Sequence, residues 1–155
     1  MDIYKKIANT IKIGNLKIVK IKKKILEYNK IKHEFENIPK INLYDVNEIS
    51  IFIVDQDVPS YKCDNPTSYI HFIYRFKKEE KTNINTNKIN LFYVPPHPPK
   101  GSGPHKYYIY VYDKYINNQN DDIKAIYKTH FTINNGTEDE KKIKELCDKY
   151  SKDKT

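Results

Sequence analysis

The segment Ile49-Ser50-Ile51-Phe52-Ile53-Val54 restricts this chain more than any other. It is almost continuously apolar and of strand length. A half-buried strand alternates apolar with polar residues, whereas a strand covered on both faces reads as an unbroken run. The segment therefore predicts a central strand, with Asp55 at its end and a turn-forming stretch through Pro59 and Pro66 that cannot continue a ladder.

The rest of the chain is read around that strand. The first 13 residues form an arm or a short helix. From Leu16 to Phe35, Ile18, Val19, Ile21, Ile25 and Ile31 stand among lysines and read as one or two strands with a solvated face. After Pro39, the alternation of Ile41 and Leu43 with polar residues predicts a short strand. Ser68 to Phe76 reads as a second buried strand, 77–90 as an exposed loop or flexible hairpin, and Tyr107 to Asp113 as an aromatic, β-branched strand. Near the end, Thr137 and Glu140 fit a capping box. Ile143, Leu146, Cys147 and Tyr150 then repeat at helical spacing as one apolar stripe, with 151–155 as a disordered tail. The expectation is a single mainly-β domain over 1–155 with a C-terminal helix.

Composition narrows the function classes. Hydrophobic residues make up 38%, and 14 tyrosines carry much of the apolar surface while keeping a hydroxyl at its edge. The formal charge is +8, and residues 5–32 hold ten lysines against one acid, Glu27. Such a surface attracts nucleic acid, anionic lipid headgroups or acidic proteins, or serves only as a solvated face. Cys63 and Cys147 have no metal-ligand spacing. With no signal peptide, two free thiols in a reduced, cytoplasmic protein are expected. No apolar run approaches the roughly 20 residues of a membrane-spanning helix.

Residue types that are costly in a β core cluster at strand ends. Asp55 and Asp57 are two apart, so an extended strand would point both carboxylates the same way. His71 sits inside the apolar strand Tyr69-Ile70-His71-Phe72, where a histidine is more often a hydrogen-bonded structural residue than a ligand. The loop from His97 to Tyr107 delivers His105 to the start of a strand. Two aspartates and up to three histidines can bind a metal, act as a general base, or hold a phosphate. Spacing does not choose among these. No H-E-x-x-H, paired C-x-x-C or Walker pattern occurs, and Ser60 and Ser102 lie in no nucleophile elbow.

Three of these segments together resemble the phosphatidylethanolamine-binding family, which includes Raf kinase inhibitor proteins and plant flowering regulators. Asp55-Gln56-Asp57-Val58-Pro59-Ser60 is similar to its D-P-D-A-P-S signature, and Tyr69-Ile70-His71-Phe72 to the strand that follows it. His97-Pro98-Pro99-Lys100-Gly101-Ser102-Gly103-Pro104-His105-Lys106-Tyr107 is similar to G-P-P-K-G-T-G-x-H-R-Y. The resemblance spans roughly 14–150. It implies a central antiparallel sheet flanked by a smaller sheet and helices. It also implies a small pocket for phosphate or a phospholipid headgroup, in a protein that acts by binding kinases or other regulators and not as an enzyme.

Carried over residue by residue, Asp55, Asp57, Pro59, Tyr69, His71, Pro98, Pro99, His105 and Tyr107 line or shape that pocket, with His71 and His105 donating to phosphate oxygens. No metal or cofactor is implied. Pro95-Pro96-His97 stands where the family usually has G-S-G, which stiffens the rim, removes backbone donors and adds His97 as a third imidazole. Ile70 takes the place of a second histidine. The family's P-V-A-G segment is missing after the helix, which implies a more open pocket covered by a partner or a second copy. Nucleic acid is not among the partners expected. The alternative is a scaffold whose pocket is only structural and whose basic surface binds acidic partners or makes peripheral contact with an anionic membrane.

Overall fold

The computed structural model describes residues 2–81, 84–117 and 123–153. Its elements run α1 (Ile3–Asn9), β1 (Lys12–Ile13), β2 (Leu16–Lys17), α2 (Ile18–Ile21), β3 (Ile25–Glu27), α3 (Tyr28–Ile31) and a 3-10 turn (Glu34–Glu36). They continue with β4 (Glu48–Val58), β5 (Thr67–Lys81), β6 (Ile84–Tyr93), β7 (His105–Tyr112), β8 (Tyr127–Asn134) and α4 (Glu140–Asp153). Six strands form one sheet in the order β3-β8-β7-β4-β5-β6, and β1 and β2 form a separate two-stranded sheet. All pairs are antiparallel except β3 with β8, so the large sheet is mixed at one edge. The mainly-β architecture with a small second sheet and a C-terminal helix is the one the sequence implied.

The apolar run is central, as expected. β4 lies between β7 and β5, and Ile49, Ile51 and Ile53 are buried in the main core with Phe72, Tyr107, Ile109, Phe131 and Ile133. Ile7, Ile11, Ile18, Ile21 and Phe35 from the N-terminal segments close that core. On the opposite face, Ser50 and Phe52 are also buried. Ser50 donates to the Lys114 carbonyl (2.7 Å) and accepts from the Ile116 amide (2.9 Å), which folds the post-β7 loop over this face. A polar residue is tolerated inside the run because its hydroxyl is satisfied twice.

Several local expectations are corrected. Leu16 to Phe35 is not one or two strands but short strand pieces separated by single helical turns, with Ile18 and Ile21 buried from α2. β-branched composition there marks neither burial nor ladder uniformly: Ile25, in β3, is 70% exposed, and Val19, in α2, is 40% exposed. Ile41 and Leu43 form no strand and pack against the core as partly buried residues; only Lys40 bridges, to Lys12. The stretch 77–90 belongs to an ordered hairpin whose register runs from Phe72 opposite Tyr93 to Lys81 opposite Ile84, while 82–83 lie outside the described residues. α4 reaches Asp153, so 151–153 are helical; 154–155 lie outside the described residues. Its first turn is capped by Asp139, which accepts from the amides of Lys141 (3.0 Å) and Lys142 (3.3 Å), and not by the Thr137–Glu140 box.

Cys63 and Cys147 are not free thiols. Their sulfurs are bonded, joining the loop after β4 to the apolar stripe of α4 across 84 positions. Two isolated cysteines that far apart carry no pairing signal, and only tertiary approach brings their Cα atoms to 5.4 Å. The cysteines therefore no longer support a reducing compartment. Among the described residues no helix is long and apolar enough to cross a membrane.

Closing a loop of this size removes enough unfolded-chain entropy to be worth about 3–5 kcal/mol. Replacing both cysteines by serine is expected to lower the unfolding free energy by that order in urea denaturation. A change below about 1 kcal/mol would show that the bond does not constrain the unfolded chain.

Candidate functional site

The ends of β4, β5 and β7 meet the Val94–Pro99 loop around a cavity of about 290 Å³. Asp55, Pro59, His71, His105 and Tyr107 line it, together with Tyr69, His97, Pro98 and Pro99. Of the ten residues singled out from sequence, Asp57 alone is absent from this lining. The strand does not end at Asp55: β4 runs on to Val58, and its register with β5 shifts between Asp55 and Val58. That bulge breaks the two-residue alternation, so the carboxylates do not share one region. Asp57 accepts from the Lys106 amide (2.8 Å), and its own amide donates to Asp55 Oδ1 (2.9 Å).

Asp55 is 3% exposed and organises the floor of the cavity. Its Oδ2 accepts from His105 Nδ1 (2.7 Å), and His105 Nε2 meets Ser102 Oγ at 2.9 Å. Both ring nitrogens of His105 are thereby engaged within the protein. In this arrangement His105 lines the cavity with neither ring nitrogen turned to it. Ser102 Oγ also lies 2.6 Å from the Pro99 carbonyl, while Ser60 donates to the Ser102 carbonyl (2.8 Å). The order Asp–His–Ser has the connectivity of an acyl-transfer triad, yet Ser102 is fully buried and lines none of the cavity. A substrate has no approach to it, and the network acts as a brace.

Glycine makes that brace possible. Gly101 and Gly103 both have φ of +83°, and a Cβ at Gly103 would stand 2.6 Å from Glu138 Oε1 and Tyr61 Cε1. Gly101 exchanges backbone hydrogen bonds with Asn135 and Asp139, each at 2.9 Å, which docks the loop on the connection into α4. Lys62 pairs with Glu138 (3.1 Å) and Glu140 beside the disulfide.

His71 is the buried wall. Its Nδ1 lies 2.8 Å from the Val94 carbonyl, which can only accept, so Nδ1 carries the proton. The ring packs between Tyr69 (4.8 Å between centroids) and Tyr107 (5.5 Å). Burial holds its pKa below the usual value, against the upward pull of the Val94 bond and of Asp55. Burial also pushes the Tyr107 hydroxyl well up, with the Asp55 charge adding to it, so that phenol stays protonated. His97 is exposed at the mouth, and its Nδ1 is 2.8 Å from the Tyr28 hydroxyl. Sequence reasoning missed Tyr28: it lies in a lysine-rich segment with no motif around it. Ser60 and Ser102 were visible only as candidate nucleophiles.

A second recess of similar volume opens on the other face of the sheet, lined by Phe52, Gln56, Tyr110 and Tyr112 among others. It has no acidic, basic or imidazole group in its lining, so the chemistry concentrates in the first. Among the described residues no cluster of three or more His, Cys, Asp or Glu is arranged to hold a metal.

The sequence profile described as phosphatidylethanolamine-binding protein matches residues 21–149. The chain belongs to the phosphatidylethanolamine-binding protein family. A carboxypeptidase Y inhibitor, solved in complex with its cognate proteinase, has a similar fold at 14% identity and a TM-score of 0.50; the match covers 72% of this chain and 76% of that one. Phosphatidylethanolamine-binding proteins of Plasmodium vivax (15% identity, TM-score 0.47, 72% and 77% covered) and Plasmodium falciparum (18%, 0.45, 71% and 76%) are also similar. No curated protein matches the sequence at a significant level.

Because folded His71 resists protonation, the unfolded chain binds more protons below pH 6.5. The stability this confers is fully present above that value and is lost as pH falls through the depressed native pKa. A histidine NMR titration is expected to place the His71 midpoint below 6.5, with thermal stability declining on acidification from pH 7.5 to 5. A midpoint at or above 6.5 would mean a hydrated wall instead of a buried one.

Proposed function

We propose that this chain is a binding and regulatory protein whose cavity takes a small oxyanion, either phosphate or a phospholipid headgroup, and which acts through a protein partner. The observation that carries the reading is the meeting of two imidazoles, His71 and His97, each with one ring nitrogen outside the protein's hydrogen bonds, at one cavity of about 290 Å³ that His105 also lines. That size is near the lower end for ligand sites and suits a headgroup better than a whole lipid. His71 turns from acceptor to donor when it takes a proton, so an anion that contacts Nε2 draws a proton onto the ring. Family membership supports a binding role, and the similarly folded carboxypeptidase Y inhibitor is a protein that works in a complex with another protein. On this reading the partner is a regulatory enzyme such as a kinase, and the chain performs no catalysis itself.

Inorganic phosphate and O-phosphoethanolamine, titrated separately, are expected to move the His71 and His97 ring signals saturably and to raise the His71 midpoint. Two ring signals that stay in place up to tens of millimolar of either probe would overturn the reading.

A second reading rests on the lysine-rich edge. Lys20, Lys23, Lys24, Lys30 and Lys32 are exposed around the edge strand β3, where Ile25 is 70% exposed. Cations around a protruding apolar side chain suit an anionic bilayer surface. Sedimentation with phosphatidylserine vesicles is expected to be lost between 0.05 and about 0.5 M salt, in line with screening. Binding unaffected by salt, or equal on phosphatidylcholine vesicles, would argue against this surface.

A further inference from the structure

Of the three cavity imidazoles, the two with a ring nitrogen outside the protein's hydrogen bonds are held by opposite kinds of partner. His71 Nδ1 must donate to the Val94 carbonyl, so in the neutral ring Nε2 is a bare acceptor. His97 Nδ1 faces a phenol at 2.8 Å, and a phenol is the better donor of that pair while a neutral imidazole nitrogen is the better acceptor. The Tyr28 hydroxyl then donates, Nδ1 is bare, and the proton sits on Nε2. His105 contributes neither role, because Asp55 and Ser102 occupy its nitrogens.

The placement of Tyr28 follows from the fold. β3 pairs with β8 so that Glu27 stands opposite Asn134, which carries Tyr28 to the cavity end of the sheet. The next residue of that strand's exit, Asn135, donates from Nδ2 to the Pro98 carbonyl at 2.8 Å. One strand end thus brings together the Tyr28 turn and the His97 loop, from segments 69 positions apart. Pro95 and Pro96 before His97 limit the backbone freedom of the loop, so a single side-chain bond suffices to orient the ring.

We infer that Tyr28 is a positioning residue that fixes His97 as the N–H donor of the cavity, and that His97 and His71 together select an oxyanion carrying both an acceptor and a proton donor, such as phosphate or a phosphate monoester in its protonated forms, over sulfate. The inference rests on the proposed anion site and adds to it the identity of the donor and the basis of selection. Phosphate at neutral pH presents P–O⁻ to His97 and P–OH to His71. Sulfate has the same shape but no proton of its own, so at pH 7.5 it meets His71 only by drawing a solvent proton onto a ring whose burial opposes the charge, or else sets a lone pair against the bare nitrogen.

Ring-nitrogen NMR of the ligand-free protein, followed by phosphate and sulfate titrations at pH 7.5, tests this with wild type, Tyr28→Phe, His97→Ala and the double variant. In wild type the His97 proton is expected on Nε2, with phosphate bound about tenfold more tightly than sulfate. Tyr28→Phe is expected to give a mixed His97 tautomer and a several-fold weaker phosphate affinity, and the double variant to be no weaker than His97→Ala alone. A His97 proton on Nδ1 in wild type, an unchanged tautomer in Tyr28→Phe, additive losses in the double variant, or equal affinity for sulfate would each overturn the inference. Should no anion bind at all, the anion site itself fails, whereas the tautomer readout in ligand-free protein still decides the role of Tyr28.

Discussion

Burying the Asp55 carboxylate is the constraint on which the rest of this structure depends. An ionisable group at 3% exposure is tolerated only when its oxygens are fully occupied, since an unsatisfied buried charge costs several kcal/mol. Oδ1 is met by a backbone amide two residues on, and Oδ2 by His105. Those two bonds fix the bulge in β4 and the start of β7. Through His105 the requirement passes to Ser102, and through Ser102 to Pro99 and Ser60. One carboxylate therefore specifies the shape of three chain segments that are remote in sequence.

The same chain of bonds explains why so polar a loop packs so tightly. Ser102, Gly101 and Gly103 are buried, although loops usually run over the surface. The positive φ angles at the two glycines let the loop fold flat against the entry to α4, and α4 is held in turn by its apolar face and by the bond between Cys63 and Cys147. The aromatic column Tyr107, Phe131 and Phe35 continues from the site into the core, with centroids 5.5 and 6.0 Å apart. Cavity and core are one packed unit, so packing within the protein sets the cavity walls. A preorganised site spends less of its interaction energy on ordering.

Much of this was legible from particular residues. The apolar run of β4, the histidine within β5 and the glycine-proline loop before β7 each announced a local environment, and together they marked the family. The N-terminal third was less legible. Ile18 and Ile21 are buried while Ile25 is 70% exposed, and short strands and single helical turns place such residues at spacings that composition does not separate. The sequence over 77–90 is polar apart from Ile84 and Ile89, so neither alternation nor an apolar run marked its strands. The helix is capped by Asp139, whose carboxylate takes two first-turn amides while its own amide donates to the Gly101 carbonyl, a tertiary bond that the local sequence does not show.

What the sequence alone determined is the set of chemical groups and the elements that carry them: a central buried strand, an amphipathic final helix, and carboxylate and imidazole groups at strand ends. These follow from side-chain type and from periods of two or 3.6 residues, which are local properties. Tertiary structure alone decided what each group does. It turned Asp57 away from the cavity, consumed both nitrogens of His105, joined two cysteines 84 positions apart and set Tyr28 against His97. A hydrogen-bond role depends on which partner stands within about 3 Å, and that is fixed by long-range packing that no local pattern records.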